Sequence, residues 1–545
     1  MPTSAYPAHV WQNCIGNQSA APVLYFQPTT IEEVRAVVLA AEKNGFPVRA
    51  LASGHSFSEV ALTHGYMVDT HKLSGIISSD SSGKDRDLLK SGIDQTYLVH
   101  VAAGTILRDL NPDLWDLGMG LPNMGGYDAQ TIAGVVSTAT HGSGMKYGPI
   151  SDLVQSLIMV STGGIIYRIE PSNGITDPNK YRQRYPTPRN VLIQDDTTFN
   201  AVVVAMGCMG IAVSMILKLR KNFYLQEQRM TNLWSNVKEQ ELESGGFRNY
   251  DHFEIYVNPY KTQSNGKDNL CLLTLRQEID PDKLRGFITP EMKHRSVFQT
   301  IASDFLGGAL DSQSGLLRGI AKAVAAGDPP KTIDTSLNAL VEKNYINRSY
   351  EVFNIGKANI VPAFSAEPAF PLANNTFIAA TEYILRQAEA MKAQKIFHTS
   401  PISLRFIKQT SALLAMTSAR DSCSIEMPML WDEYARQDIQ GGMQVLYNLE
   451  PMLMQQFQAR PHWGQVNFFR GTPASLAQLY PRFDDWLRVY KQFNSKGLFS
   501  NPFTQRMGID IPLAAPQTLP SVIAMAPLPP PPSSFEQQLA SANQA

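Results

Sequence analysis

A regular pattern of apolar and polar residues first appears between residues 28 and 51. Thr30 is a good helix N-cap, Glu33 follows three residues later as in a capping box, and Gly45 suits the end of a helix. The apolar side chains between them form one helical stripe, made of Ile31, Val34, Val37, Val38 and Ala41. Residues 46–51 are an apolar run that predicts a strand. With a short strand before residue 28, the chain is predicted to start as strand, helix, strand.

The same kind of pattern predicts most other elements. Strands are predicted at residues 67–70, 97–103, 251–257, 270–276, 363–371, 402–408 and 423–429, with a strand pair over 153–169. Helices are predicted from residue 104, over 296–346 with a polar break at 327–331, and over 376–393, 443–454 and 474–495. Residues 78–92 and 170–195 are predicted as loops. Strands mixed with helices after residue 223 indicate an α+β domain with a large antiparallel sheet.

One apolar segment, residues 201–217, reaches the short end of the length that spans a membrane. It contains Gly207, Gly210 and Ser214, so we interpret it as a buried strand, glycine turn and strand. The first residues of the chain have neither the basic nor the apolar region of a signal peptide. We therefore expect a cytoplasmic protein with no integral membrane segment.

Composition and charge exclude several classes of function. A length of 545 residues predicts two or three domains. The formal net charge of −1 gives no field that would attract nucleic acid or an anionic membrane. Four cysteines, at positions 14, 208, 271 and 423, lack C-x-x-C spacing, which argues against a zinc site or a disulfide scaffold and suits a reducing compartment. No metal site is expected.

Two stretches of small residues carry the candidate chemistry. Residues 52–58 (Ala-Ser-Gly-His-Ser-Phe-Ser) follow a predicted strand directly, and residues 120–144 are rich in Gly, Ser and Thr. Small residues let backbone N–H groups approach a phosphate closely, and a long run of them can line an extended cofactor. His55 places one nucleophilic ring in the first stretch.

Six motifs occur in one order along the chain. They are Asn13-x-x-Gly16-Asn17, residues 28–34 (PTTIEEV), residues 53–56 (SGHS), Gly125 with residues 130–134 (QTIAG), residues 140–144 (THGSG) and residues 460–463 (RPHW). In this order and spacing they resemble the vanillyl-alcohol-oxidase type of FAD-linked oxidase, which has a PCMH-type FAD-binding domain. Within that group the chain looks most like the sugar-1,4-lactone oxidases (arabinono- and gulonolactone) and the alditol oxidases. The resemblance covers residues 1–510.

This resemblance implies an α+β fold with a PCMH-type FAD-binding domain of two subdomains and a substrate (cap) domain with a large antiparallel sheet and flanking helices. The FAD-binding domain would comprise residues 1–222, and the substrate domain residues 223–470. Residues 471–510 would return to the FAD-binding domain. Residues 511–545 are Pro-rich and are predicted to be a disordered tail.

The resemblance also implies FAD joined covalently, through its 8α-methyl group, to His55. A tethering nitrogen must be nucleophilic, and a bond there makes the flavin more oxidising. Matched position by position, the motifs assign further cofactor contacts to the small-residue stretches, to a supporting glycine and to three later positions. These residues are Ala52, Ser53, Gly54, Ser56, Phe57, Ser58, Gly104, Met124, Gly125, Asp128, Thr131, Gly134, Ser137, Thr138, His141, Gly210, Val213 and Asn501.

On the substrate side the resemblance fails at two charged positions. Flavin oxidation of an alcohol needs a base for the hydroxyl proton and a cation near the N1/C2=O edge of the flavin. The related oxidases have a Glu-x-Arg pair on a strand. Here Arg405 is present, but Ser403 occupies the glutamate position. Their His-Trp-x-Lys motif reads His462-Trp-Gly-Gln465 in this chain, so a glutamine replaces the lysine.

Another residue must then take the substrate proton. Glu426 lies on the strand predicted after Arg405, and Glu367 and His462 are further candidates for the base. Arg405 is the substrate-domain residue with the best support, and Ser403 and Gln465 complete the predicted catalytic set.

The expected activity is oxidation of a CH–OH group in a sugar lactone, an alditol or another alcohol, by hydride transfer to flavin N5, with O2 reduced to H2O2. Small steric features set oxygen reactivity, so a dehydrogenase with another electron acceptor is an alternative. The substrate domain is rich in apolar residues, and Ser403 and Gln465 replace two charged residues. Both features also permit a bulkier, sterol-like alcohol as the substrate. A third alternative is a catalytically silent flavin-binding or interaction protein.

Overall fold

The computed structural model describes residues 5–6, 10–77, 87–262, 266–279, 328–355, 363–432, 437–438 and 441–513. Three predictions fall at least partly elsewhere: most of the loop at 78–92, the helical stretch over 296–327 and the tail after residue 513 lie outside the described residues.

The described α-helices follow one another along the whole chain. They are α1 Ile31–Asn44, α2 Leu107–Asp116, α3 Ile132–Ser137, α4 Pro178–Arg184, α5 Asp196–Val202, α6 Trp234–Val237, α7 Pro329–Ala339, α8 Ser349–Phe353, α9 Thr376–Lys392, α10 Gly442–Phe457, α11 Pro473–Leu479, α12 Phe483–Phe493 and α13 Pro502–Arg506.

The described strands are short in the first half of the chain and longer in the second. They are β1 Ala5–Tyr6, β2 Trp11–Gln12, β3 Ser19–Ala20, β4 Leu24–Phe26, β5 Val48–Leu51, β6 Tyr66–Asp69, β7 Leu98–Ala102, β8 Met119–Gly120, β9 Val154–Ser161, β10 Ile165–Glu170, β11 Asn190–Gln194, β12 Ile211–Lys218, β13 Arg220–Lys221, β14 Tyr224–Leu233, β15 His252–Lys261, β16 Asn269–Ile279, β17 Glu342–Arg348, β18 Ala363–Ala366, β19 Ala369–Pro371, β20 Ile402–Ile407, β21 Ser422–Asp432 and β22 Gln437–Asp438.

Helix α1 begins and ends where the sequence predicts. Thr30 Oγ1 accepts a hydrogen bond from the Glu33 N–H at 3.2 Å, and Glu33 Oε2 accepts one from the Thr29 N–H at 2.7 Å. Gly45 follows the helix in the left-handed conformation, with a φ of 69°. The strand β5 comes directly afterwards, so this unit delivers residues 52–58 to the end of a strand.

Two sheets form the N-terminal half. In the first, β4, β6 and β5 are parallel neighbours and β1 pairs antiparallel with β4. The second has the order β11-β10-β9-β12-β7. Ligands of parallel sheets bind beyond the carboxyl ends of the strands, which is where the loop after β5 lies.

One large antiparallel sheet forms the centre of the second half. Its order is β17-β14-β16-β15-β20-β21-β18, and β19 and β22 also pair with β21. Helices α9 and α10 cover it: Ile384 and Leu446 share one buried core with Phe406 and Ile425 of the sheet. The predicted α+β fold with a large antiparallel sheet is confirmed.

The C-terminal helices pack into the core of the N-terminal half. Trp486 of α12 and Phe503 of α13 share a buried cluster with Val101, Ile132 and Met215. This packing fits the return of the chain after residue 470.

Residues 170–195 are not the loop that the sequence predicts, because they contain α4 and β11. The Asp177 side chain caps α4 by accepting hydrogen bonds from the N–H groups of Asn179 and Lys180, and Pro178 fits the first turn. The surrounding Pro and Asn residues hide this start signal. β11 then pairs parallel with β10.

Three further element predictions were wrong in part. The helix predicted up to residue 346 ends earlier in the described residues, because α7 stops at Ala339 and β17 follows from Glu342 to Arg348. The segment over residues 201–217 starts in the last residues of α5, turns through Met206 and Gly207 with positive φ, and ends in β12. The predicted helix over 474–495 is divided into α11 and α12, which Pro481 separates. Among the described residues, no helix is both long and apolar enough to cross a bilayer.

Candidate functional site

The loop of residues 52–58 exposes backbone donors at the end of β5. Gly54 has a φ of 68°, and its carbonyl accepts a hydrogen bond from the Cys14 N–H at 2.9 Å. Within the described part of the chain, the N–H groups of Gly54, His55 and Ser56 donate to no acceptor. Such a set of free N–H groups suits the pyrophosphate of a dinucleotide.

The second small-residue stretch lies against this loop. The Thr131 N–H donates to Ser53 Oγ at 3.3 Å. Gly134 of α3 is so close that an added Cβ would lie 3.3 Å from the Cβ of Ala52. The two stretches that the sequence predicts as cofactor loops are therefore brought together, and they leave room for small side chains only.

The other predicted residues of this stretch have polar partners nearby. Asp128 Oδ2 accepts a hydrogen bond from Asn354 Nδ2 at 2.5 Å, and Thr138 Oγ1 donates to the carbonyl of Gly134 at 3.0 Å. The carbonyl of Ser137 accepts a hydrogen bond from the Met206 N–H at 3.2 Å. Their contacts with FAD stay predictions.

Two predicted cofactor positions lie where the backbone is tightly packed. An added Cβ would lie 1.9 Å from the carbonyl of Thr70 at Gly104, and 2.7 Å from the carbonyl of Val160 at Gly210, so these glycines let main chains approach closely. At Gly125 an added Cβ would make an ordinary contact, 3.4 Å from the carbonyl oxygen of His141. Met124 is buried in the core.

Asn501 joins the C-terminal segment to the cofactor loop. Its Nδ2 donates to three carbonyls of residues 59–62, at 3.0 to 3.2 Å, and its Oδ1 caps α13 by accepting from the Thr504 N–H. The Val213 carbonyl accepts a hydrogen bond from the Ala103 N–H at 2.9 Å. Both residues thus stabilise the backbone around the predicted cofactor loops.

His55 stands at the centre of the loop. Its Nδ1 lies 3.0 Å from Ser53 Oγ, and its Nε2 lies 3.3 Å from the hydroxyl of Tyr127. Burial, together with the charge of His71, lowers the pKa of His55 to about 4. The ring is therefore neutral near pH 7 and keeps a nucleophilic nitrogen. The sequence analysis did not single out Tyr127, which no motif marks.

The cofactor loop is hydrogen-bonded directly to residues 462–465. Ser58 Oγ donates to the carbonyl of Trp463 at 2.5 Å, and the Phe57 N–H donates to the carbonyl of Gly464 at 2.7 Å. Residues 58 and 463 are 405 positions apart in the chain. Two motifs that are distant in sequence therefore meet here.

Residues 141–144 connect the same region to the large sheet. The Gly144 N–H donates to the carbonyl of Phe406 at 2.7 Å, and the Ser143 hydroxyl donates to the carbonyl of Phe253. The cofactor half thus contacts β15 and β20, the strands that carry the substrate-side residues.

Arg405 lies among carboxylates on the sheet. Its Nε is 2.7 Å from Glu254 Oε1, and its Nη1 is 3.3 Å from Glu367 Oε1 and also bonds to Glu426. Burial opposes its charge, but Glu426, Glu254 and Glu367 raise the pKa of Arg405 well above its ordinary value. The guanidinium is a fixed cation, and Tyr256 donates to Glu254 behind it.

A carboxylate lies beside the position where the related oxidases have one. Ser403 of β20 is directly opposite Glu426 of β21 in the antiparallel register. Ser403 Oγ donates to Glu426 Oε2 at 3.3 Å. The neighbouring strand thus brings a carboxylate to the place that Ser403 leaves without one.

Two histidines and Glu367 form a compact buried cluster. His141 Nε2 lies 3.4 Å from Glu367 Oε1, and the rings of His141 and His462 are 6.1 Å apart. Burial lowers the pKa of His462 to about 4. Although burial raises the pKa of Glu367, the charges of His141 and Arg405 bring it below its ordinary value.

Behind Arg405 the charges continue across the sheet. Arg276 Nη1 is 3.5 Å from Glu254 Oε2, its Nε is 2.7 Å from Glu227 Oε2, and Arg229 Nε is 2.9 Å from Glu227 Oε1. The sequence analysis missed this row. Glu254 and Arg276 interrupt largely apolar strands, whereas Glu227 and Arg229 lie on the polar strand β14, and only the cross-strand register pairs these residues.

The sequence matches two family descriptions. Residues 22–170 match the FAD binding domain, and residues 216–507 match D-arabinono-1,4-lactone oxidase. The second match covers more than half of the chain, and the protein therefore belongs to the D-arabinono-1,4-lactone oxidase family. It is an FAD-dependent oxidoreductase that acts on a CH–OH group.

Curated relatives align with nearly the whole chain. The L-gulono-1,4-lactone dehydrogenase of Mycobacterium tuberculosis is 26% identical over 500 residues, which cover 91% of this chain and 99% of the relative. The L-gulonolactone oxidase of Bos taurus is 24% identical over 520 residues, which cover 92% and 99%. A putative D-arabinono-1,4-lactone oxidase of Neurospora crassa is 22% identical over 550 residues, which cover 95% and 89%.

Among solved structures, the cholesterol oxidase from B. sterolicum has a TM-score of 0.68 at 14% sequence identity and covers 93% of this chain and 99% of its own. A solvent-stable cholesterol oxidase has a TM-score of 0.64 at 15% identity, covering 92% and 97%. At this identity the likeness establishes the fold alone.

Proposed function

We propose that the protein oxidises a hydroxyl-bearing carbon of a sugar-1,4-lactone, with FAD bound covalently to His55 and O2 as the electron acceptor. The observation that carries the proposal is that the predicted cofactor loop is hydrogen-bonded to residues 462–465, where His462 lies close to Glu367, which pairs with Arg405. This supports a flavin and a charged substrate side by side.

The two small-residue stretches suit FAD. The N–H groups of residues 54–56 have no acceptor among the described residues, and Gly134 keeps the space beside them narrow. We assign FAD binding to residues 1–222 and 471–510, and the substrate to residues 223–470. Bound FAD would accept a hydride from the substrate carbon and later pass two electrons to the acceptor.

The substrate-side charges favour a compact, hydroxyl-rich molecule over a sterol. Arg405 and the carboxylates of Glu254, Glu367 and Glu426 are largely buried and paired with one another, and a purely apolar ligand would offer no hydrogen bonds to their remaining donor and acceptor sites. Ring hydroxyls and a lactone carbonyl can hydrogen-bond both signs of charge. The names of the lactone-oxidising relatives point to the same substrate class.

Glu426 is the base in this proposal. Its carboxylate is on the substrate side of β21, and Ser403 and Arg405 fix its orientation. A carboxylate oxygen of Glu426 would take the substrate hydroxyl proton as the carbon loses its hydride, while Arg405 holds the substrate oxygen.

Anaerobic mixing with a panel of lactones, alditols, simple alcohols and sterols tests the substrate class. We expect L-gulono- and D-arabinono-1,4-lactone to bleach the flavin fastest. A panel in which only sterols bleach it would overturn the assignment. Air should then reoxidise the flavin within seconds in a stopped-flow experiment, whereas slow reoxidation would indicate a dehydrogenase, as one relative is named.

The covalent bond is tested by His55→Ala. Acid precipitation of the unmodified protein should leave the yellow flavin in the pellet, because the bond survives unfolding. The variant should release all of its flavin into the supernatant. His64→Ala, which changes an exposed histidine near the same loop, is the matched control and should behave like the unmodified protein. Release of flavin from the unmodified protein would exclude the bond.

A further inference from the structure

The hydrogen bonds of His141 define which of its nitrogens carries a proton. Its Nδ1 lies 2.9 Å from the carbonyl of Gly142, which can only accept, so Nδ1 is an N–H. In a neutral ring Nε2 would then be a bare acceptor. That atom is buried, has no hydrogen-bond partner among the described residues, and lies 3.4 Å from Glu367 Oε1. With a proton on Nε2, His141 and Glu367 form an ion pair, whereas without it two acceptors would face each other.

His462 cannot supply this positive charge. The Gly464 N–H donates to His462 Nδ1 at 3.2 Å, so that nitrogen has no proton. The nearest ligand atoms of His141, Glu367 and His462 all lie within 4.8 Å of one another, a spacing that a metal ion could also use. However, a neutral His462 with an occupied Nδ1 carries its proton on Nε2, which leaves no free lone pair for a metal.

The charges next to Glu367 are consistent with this assignment. Among the described residues, Arg405 is shared by three carboxylates, those of Glu254, Glu367 and Glu426. The neighbouring Tyr256 and His462 are neutral near pH 7 and add no positive charge. A proton on His141 gives the buried Glu367 a cationic partner of its own.

Gln465 indicates what this charge does. Its Oε1 is buried without a hydrogen-bond partner among the described residues, at the position where related oxidases have a lysine. We propose that His141 is a charged imidazolium paired with Glu367 and provides the positive charge beside the flavin that Gln465 cannot provide. The charge state of His141 stands on the protein's own contacts, and its action on the flavin rests on the proposed flavin site.

The charge state is tested by NMR on protein with 15N-labelled histidine. At pH 7.5 we expect a histidine signal from a ring with both nitrogens protonated that is absent in His141→Gln and becomes a neutral signal in Glu367→Gln. His71, whose pKa is raised by its hydrogen bond with Asp69, is assigned separately through His71→Gln. His398 provides the internal control, since it is buried and burial lowers its pKa to about 3. Its signal should remain neutral throughout. A neutral His141 in the unmodified protein overturns the proposal, and so does a stoichiometric bound metal in elemental analysis.

The action on the flavin is tested by its midpoint potential. A nearby cation stabilises the anionic reduced flavin, so His141→Gln should lower the equilibrium constant for reduction at least tenfold, about 30 mV for two electrons. The double variant His141→Gln/Gln465→Lys places a cation at the neighbouring position and should recover most of that loss. His398→Gln, which removes a buried histidine outside the cluster, should leave the potential unchanged.

The two measurements distinguish the charge state of His141 from its action on the flavin. If the NMR signal is charged but the potential does not move, His141 is only a structural ion pair and the proposed action is wrong. If Gln465→Lys gives no recovery, the effect of His141→Gln comes from packing instead of charge. Protein that lacks flavin altogether would contradict the proposed function while the NMR result on the charge state still stands.

Discussion

At the scale of single residues, the carboxylate that we propose as the base, Glu426, is carried by β21 and lies opposite Ser403 of β20. An antiparallel register places Ser403 opposite Glu426, so side chains on the two strands reach the same point. A carboxylate on either strand can therefore lie beside Arg405. The position, and not the strand that carries it, is what the chemistry requires.

This exchange predicts the effect of three variants. Glu426→Ser should lower kcat by about 100-fold or more, because it removes the proposed base. Ser403→Glu/Glu426→Ser should recover a large part of that loss by placing the carboxylate on β20. Ser403→Ala should change kcat by less than about tenfold, since it removes one hydrogen bond of about 1.4 kcal/mol or less.

Steady-state and single-turnover kinetics with the best lactone of the panel measure these effects. Single-turnover reduction isolates the chemical step from product release. If Glu426→Ser keeps full activity, Glu367 or His462 must be the base. If the double variant is no better than Glu426→Ser, the two strands are not interchangeable.

At the scale of elements, Asn501 holds a helix and a loop together. One side chain caps α13 and donates to three carbonyls of the segment after the cofactor loop. Asn501→Ala leaves those buried carbonyls with fewer donors and removes the cap. We expect a loss of about 2–4 kcal/mol in unfolding free energy. Urea denaturation of the holoprotein measures it.

A matched control is Asn179→Ala, which changes an exposed asparagine in α4 and should alter stability by less than about 0.5 kcal/mol. Equal stability of Asn501→Ala and the unmodified protein would contradict the role of Asn501. Direct contact with the cofactor would then be the remaining role predicted for Asn501.

Elements whose causes are local could be predicted from the sequence. The cap and end of α1 depend on Thr30, Glu33 and Gly45 within one short segment, and the loop with His55 follows directly from it. The row from Arg229 to Arg405 could not be predicted, because it depends on the register of strands far apart in the chain. Most of the fold could therefore be predicted from the sequence, but only some of the partners of Arg405 could.

At the scale of the whole molecule, three buried histidines make stability depend on acid. Burial lowers the pKa to about 4 at His462, and to about 3 at His252 and His398, from an ordinary value of 6.5. Between these values and 6.5 the unfolded chain binds more protons than the folded protein. Stability from these residues is therefore complete above pH 6.5 and is lost as the pH falls.

Buried carboxyls act in the opposite direction. Burial raises the pKa of Glu450 to about 7 from 4.5 and that of Asp152 to about 6 from 3.8, and it also raises the pKa of Glu241. The folded protein binds these extra protons, so this stability is lost as the pH rises through the same ranges. These carboxyls therefore offset part of the effect of the histidines.

His398 offers the clearest test of this balance, because neither of its ring nitrogens has a hydrogen-bond partner among the described residues. Each excess proton contributes about 1.4 kcal/mol per pH unit to the slope of unfolding free energy. His398→Phe should therefore reduce the slope between pH 6 and 4 by about that amount. Urea midpoints of the holoprotein at half-unit steps of pH measure both slopes. Parallel curves for the two proteins would show that His398 is already protonated in the folded state, and would contradict the effect of burial on its pKa.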